Sequence, residues 1–155
     1  MKKYLMLLCI AALAGCNQEN ISEEEKHLDS YLKETHQIDV KKYPQLFVIV
    51  ISGNCGSCTE KTINFIKQID KKDKFTDYKR IIIIPDNNAY VVDSFKNAGS
   101  QFIADKGYML EKYGINFPRN LFMEFKDKQL VYKDWLYLDN VDSIAKKYGL
   151  SLPAE

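Results

Sequence analysis

Cys55 and Cys58 stand two residues apart, with Gly56 and Ser57 between them. Two thiols at that spacing can close a disulfide within one helical turn and reopen it by exchange. Their chemistry is a two-electron transfer. A thiolate attacks a disulfide to form a mixed disulfide, and the second thiol then displaces the bound partner. The first sulfur is best activated at a helix start. Unpaired N–H groups and the positive end of the helix dipole favour thiolate over thiol there. Cys55 is therefore the candidate nucleophile and Cys58 the resolving thiol, provided that a helix begins at the pair.

The flanking sequence predicts that helix and a strand to aim it. Residues 46–51, Leu-Phe-Val-Ile-Val-Ile, form an unbroken apolar run rich in β-branched side chains. Such a run predicts a central strand buried on both faces, with helices on each side. Ser52-Gly53-Asn54 reads as a turn. Thr62, Phe65, Ile66 and Ile69 then recur at helical spacing. Downstream, 79–84 predicts a second buried strand stopped by Pro85-Asp86-Asn87, and 91–98 a helix closed by Gly99. A short strand is expected at 101–104 and a short helix at 110–113. Residues 120–125 and 129–135 predict a hairpin around Lys126-Asp127-Lys128. Val141, Ile144, Ala145 and Tyr148 predict a last helix with Gly149 just past its end. Parallel crossovers followed by an antiparallel hairpin imply a mixed α/β sheet sandwiched by helices. Ahead of it, Ser22-Glu23-Glu24-Glu25 fits a capping box, and Leu28, Tyr31 and Leu32 continue a helix over 23–35.

In this setting the chain resembles the thioredoxin superfamily. The strand, the Cys-Gly-Ser-Cys motif and the helix after it match the family's first β-α unit. Tyr113-Gly114-Ile115-Asn116-Phe117-Pro118 looks like the family's segment before the β-hairpin. The resemblance implies a cis Pro118 facing the cysteines, and a Phe117 backbone that pairs with a bound peptide. It covers about 45–150. Departures from the pattern are Asn54 before Cys55, Ser57 at the motif's third position, and Ile49 where thioredoxin has a buried acid. Glu60 is the nearby carboxylate that proton transfer could draw on.

The first fifteen residues read differently. Met1-Lys2-Lys3 is basic, and 4–14 is apolar but only about half of the ~20 residues a spanning helix needs. Leu13-Ala14-Gly15-Cys16 resembles the lipobox of bacterial lipoproteins. That resemblance implies cleavage before Cys16 and lipid on its sulfur. The expected organisation is a signal peptide at 1–15, a lipid anchor, tether and helix at 16–44, and a thioredoxin-like domain at 45–155. The implied place is the bacterial cell envelope, lipid-anchored and extracytoplasmic, where cysteine pairs can stay oxidised.

Composition bounds the rest. The chain has 155 residues, 46% hydrophobic, with 22 Lys+Arg against 21 Asp+Glu. Length allows one domain, and near-neutral charge gives no reason to expect nucleic acid. No cofactor is implied. The expected partners are protein thiol or disulfide clients, a redox partner, and the membrane through lipidated Cys16. Three other readings of the cysteine pair remain. One is half of a zinc site, for which only His27 and His36 are on offer, so no metal is assigned. Another is a static disulfide. The third is a binding or assembly lipoprotein with a thioredoxin-like fold and no catalytic turnover. A peroxidatic Thr-x-x-Cys motif does not occur. His27 and His36 read as surface residues. Trp135, Tyr108 and Tyr113 read as packing residues.

Overall fold

A computed structural model of the chain describes residues 23–85, 91, 93–94, 99–107, 109–115 and 117–153. Strand β1, Gln45–Val50, is buried from Leu46 onward. Its side chains alternate between two cores. Phe47, Ile49 and Ile51 enter one, and Leu46, Val48 and Val50 the other. A period of two with both faces apolar forces this result. The neighbouring strand β2, Lys79–Pro85, does the same, with Ile82 and Ile84 on one side and Ile81 and Ile83 on the other.

Helices supply the covering layers. Helix α1, Glu23–His36, buries Leu28, Tyr31 and Leu32 against the face that carries Val48 and Ile83. It therefore forms part of the sandwich, although it precedes residue 45. Its expected N-cap, Ser22, lies outside the described residues. Helix α2, Gly56–Asp70, buries Thr59, Thr62, Ile63, Phe65, Ile66 and Ile69 on the opposite face. The short helix α3, Met109–Lys112, follows strand β3, Gln101–Asp105. Helix α4, Val141–Lys147, packs beside α2, where Lys61 Nζ lies 2.8 Å from Asp142 Oδ2. The helix expected at 91–98 is described only at residues 91, 93 and 94.

The sheet order is β3-β2-β1-β4-β5, where β4 is Asn120–Lys126 and β5 is Gln129–Leu136. Strands β1, β2 and β3 are parallel, and β4 runs antiparallel to both β1 and β5. This is the mixed α/β sandwich expected from the sequence, and its topology is consistent with a thioredoxin-like fold. The hairpin turn places Asp127 and Lys128 at φ 50° and 70°. Positive φ at both central residues matches the twist of the two strands. Gly149, at φ 62°, ends α4 as expected. The register pairs Val50 with Leu121, so the end of β1 and the start of β4 lie side by side. The cysteine motif leaves the sheet at that edge, at the carboxyl ends of the parallel strands.

Candidate active site

Cys55 is the N-cap of α2, in an extended conformation with φ −140° and ψ 108°. Its carbonyl accepts the first helical bond, from Thr59 N–H at 2.9 Å. Its sulfur accepts from Cys58 N–H at 3.3 Å. An N-cap side chain normally offers oxygen to such a donor, and here sulfur takes that place. Cys55 and Cys58 are joined in a disulfide, with Cα atoms 5.3 Å apart. Gly56 and Ser57 between them are exposed, and both cysteines are half-buried. Ser57 Oγ lies 3.7 Å from Cys55 Sγ. A β-carbon added at Gly56 meets nothing within 4 Å. The arrangement can perform exchange: one sulfur caps a helix start, where it accepts a backbone N–H, and the other is one turn along.

A polar chain centred on the buried residues Asn120 and Thr62 joins the two sides of the motif. Asn120, the first residue of β4, is 2% exposed. Its Oδ1 accepts from Ser52 N–H at 2.9 Å and from Ser52 Oγ–H at 3.3 Å. Ser52 Oγ in turn accepts from Asn54 N–H at 3.4 Å. The other end of the carboxamide donates from Nδ2 to Thr62 Oγ1 at 2.9 Å. Thr62 Oγ1 donates to the carbonyl of Cys58 at 2.7 Å. In the sequence, Ser52 and Asn54 read as a turn, Thr62 as one of an apolar stripe and Asn120 as a strand start. The available signals were a hydroxyl on a stripe of Phe and Ile, and an Asn heading an apolar strand.

The other expected residues fall as follows. Ile49 is buried in the core, so no acid occupies that position. Glu60 is exposed on α2. Among the described residues, no carboxylate is hydrogen-bonded to either cysteine. Phe117 is half-buried, with its ring edge-on to Trp135 at 6.4 Å. Pro118 is exposed, and Arg119 beside it lies over the Tyr137 ring at 4.4 Å. No cis peptide bond occurs among the described residues, so the Phe117–Pro118 bond is trans, contrary to the cis bond that the resemblance implied. An X–Pro bond favours trans by about 0.5–1 kcal/mol. Here the trans bond accompanies an inward Phe117 ring and an exposed proline.

The histidines are not near the motif. His36 is half-buried. Its Nε2 is 3.0 Å from Tyr31 Oη, which donates to Asp105 Oδ1 at 3.3 Å. Burial holds the His36 pKa below its ordinary value, and Asp105 opposes that shift. The His27 ring packs against Gly114. Trp135 and Tyr113 are packing residues, and Tyr113 Oη donates to Glu34 at 2.9 Å. Tyr108 lies outside the described residues. No group of three or more His, Cys, Asp and Glu suited to a metal ion occurs among the described residues. Cys16 and the expected signal peptide also lie outside them. No helix within the described residues is long and apolar enough to cross a membrane.

No protein-family model matches the sequence, and no curated protein matches it. Among solved structures, the chain is similar to a protein assigned as the thiol:disulfide interchange protein DsbE of Chlorobium tepidum. That match has 11% identity and a TM-score of 0.48, over 70% of this chain and 79% of the other. It is similar to the thioredoxin domain of a thiol-disulfide oxidoreductase from Bacteroides vulgatus at 13% identity and a TM-score of 0.47, over 70% and 81%. It is also similar to a thiol:disulfide interchange protein from a Bacteroides species at 16% identity and a TM-score of 0.44, over 68% and 74%.

Proposed function

We propose that the chain is a membrane-anchored, extracytoplasmic thiol-disulfide oxidoreductase that works through Cys55 and Cys58. The observation that carries this reading is the placement of the pair. Cys55 caps α2 and accepts Cys58 N–H on its sulfur, so a thiolate formed there meets a donor and the positive end of the helix. In the reducing direction, Cys55 thiolate attacks a client disulfide. A Cys55–client disulfide forms, and the second client sulfur leaves as thiolate. Cys58 then loses its proton and attacks Cys55 Sγ. The Cys55–Cys58 disulfide closes, and the client leaves as a dithiol carrying two electrons. The reverse sequence oxidises a client. The test is turnover of a protein disulfide such as insulin by the purified protein, with dithiothreitol supplied as the reductant that reopens the Cys55–Cys58 disulfide after each cycle. Cys55→Ser should abolish it, and turnover by that variant at the normal rate would refute the reading.

Phe117 and Pro118 complete the proposal as the client-facing segment. They lead into Asn120, which is bonded to the turn ahead of Cys55. An extended client can pair with the backbone of a segment that lies ahead of a strand. Pro118→Ala should leave the thermal midpoint unchanged and lower client kcat/KM a few-fold, about 2–5. Unchanged kinetics would remove Pro118 from the site.

The anchor rests on Leu13-Ala14-Gly15-Cys16 behind a basic, apolar start. Stable anchoring takes more than one acyl chain. Cys16→Ala should move the protein from the membrane to the soluble fraction, and unchanged fractionation would refute lipidation at Cys16.

A further inference from the structure

We infer that Asn120 is a positioning residue for exchange: its buried carboxamide holds Cys58 in register with Cys55 from both sides of the motif. The inference rests on the proposed redox function and names what keeps that site geometrically closed. Asn120 touches no sulfur. It acts on one side through Ser52, three residues before Cys55, at 2.9 Å. On the other side it acts through the Thr62 hydroxyl, which holds the Cys58 carbonyl at 2.7 Å. One side chain from β4 thus ties the turn entering the motif to the helical turn leaving it. Asn120 and Thr62 are 2% and 0% exposed, so the bond between them is shielded from water, while the bonds to Ser52 and to the Cys58 carbonyl are part-buried.

The residue type is specific to the task. The carboxamide accepts from Ser52 and donates to Thr62 at once. A carboxylate lacks the donor, and an aliphatic side chain lacks both. A carboxamide also does not titrate, so the clip holds at every pH at which the thiols react. No bond of the clip includes Cys55 or Cys58 sulfur, so reducing the disulfide leaves the clip in place. The dithiol then keeps its two sulfurs near closing distance. Holding reacting groups in place raises the effective concentration of Cys58 at the Cys55–client disulfide. Closure on that intermediate proceeds as written above, with Cys58 Sγ bonding Cys55 Sγ and the client sulfur leaving with the electron pair.

The experiment is the equilibrium of the Cys55/Cys58 pair with reduced and oxidised glutathione in the purified full-length protein. Four variants are compared: Asn120→Leu, Thr62→Val, Thr62→Ser and, at the far end of β4, Glu124→Gln. Asn120→Leu should weaken the intramolecular disulfide about tenfold, a shift of about 30 mV toward more oxidising potential. Thr62→Val should shift the equilibrium the same way by about threefold. Thr62→Ser restores the hydroxyl and should return it to within about twofold of the unaltered protein. Glu124→Gln, which disturbs packing elsewhere, should also stay within about twofold. If Asn120→Leu does not fold, the Val and Ser variants at Thr62 decide. Asn120→Leu and Thr62→Val both within twofold, or Thr62→Ser shifting as far as Thr62→Val, would overturn the inference while leaving the redox function intact. No exchange between the unaltered protein and glutathione would instead overturn the function, and the inference with it.

Discussion

Strand β4 buries two polar side chains on one face, Asn120 at its start and Glu124 four residues on, with Phe122 between them. The two ends are built for different work. Asn120 is neutral and bonded to the segments that carry the cysteines. Glu124 is a carboxylate bonded to aromatic hydroxyls, at 3.0 Å from Tyr78 Oη and 2.7 Å from Tyr148 Oη, and to Lys126 Nζ at 2.9 Å. Around it lies the aromatic core, where Phe47 is 4.2 Å from the Tyr78 ring and 5.3 Å from the Phe122 ring. The end beside the cysteines thus carries a carboxamide, which no pH change alters. The far end relies on a buried charge that makes folding depend on pH.

The contrast is broken most severely at the cysteines. Cys55→Ser should lower client turnover by about 10³-fold or more, because among the described residues no other thiol caps a helix. Glu124→Gln should leave turnover per folded molecule within about twofold. A large loss in Glu124→Gln at full folding would dissolve the division between the two ends.

The next effect concerns stability. Burial alone would raise the Glu124 pKa, but hydrogen bonds from Lys126, Tyr148 and Tyr78 outweigh it and hold the carboxyl below its ordinary value. A carboxyl with a depressed folded pKa adds stability above its unfolded pKa. That stability is lost as pH falls through the folded value. The window therefore lies below about pH 4.5. Glu124→Gln should cost about 1–3 kcal/mol at pH 7 and flatten the acid limb of the stability curve, read by urea unfolding between pH 3 and 7. An unchanged acid limb would show that Glu124 is not held in this way. Asn120→Leu should leave the shape of that limb unaltered, because the carboxamide does not titrate.

A smaller effect sharpens the same picture. Tyr148→Phe removes the shortest bond to Glu124 and should cost about 1 kcal/mol. With one fewer donor, the Glu124 pKa rises and acid unfolding begins at higher pH. The smallest effect is at the motif. Gly56 opens α2 with open space around it, so Gly56→Ala should stabilise the protein by about 0.4–1 kcal/mol through the unfolded chain. Thermal unfolding of the oxidised protein checks it.

Much of this fold was legible because apolar spacing states it directly. The run 46–51 could only be a strand covered on both sides, and Thr62 to Ile69 could only be a buried helical face. The position of Cys55 at the start of α2 followed from the strand, turn and stripe around it. The clip was not legible, because its partners are 58 and 68 residues apart in sequence. Only the antiparallel pairing of β1 with β4 brings Asn120 to Ser52. Glu124 was hidden in the same way, since Tyr78 and Tyr148 reach it from separate segments. The expected cis Pro118 came from resemblance alone. No residue pattern around it specifies the isomer, and the bond is trans. The contact of His36 with Tyr31 was equally hidden, because it depends on how α1 lies against β3.

In the proposed mechanism Cys55 attacks and Cys58 resolves, and this order can be tested on its own. It is tested most directly by trapping with single-cysteine variants. Cys58→Ala and Cys55→Ala proteins are expressed where clients are present, quenched in acid, alkylated and resolved without reductant. Client mixed disulfides should form on Cys55 in the Cys58→Ala protein, with none in the Cys55→Ala protein. Mixed disulfides held by Cys58 in the Cys55→Ala protein, with none on Cys55, would contradict it.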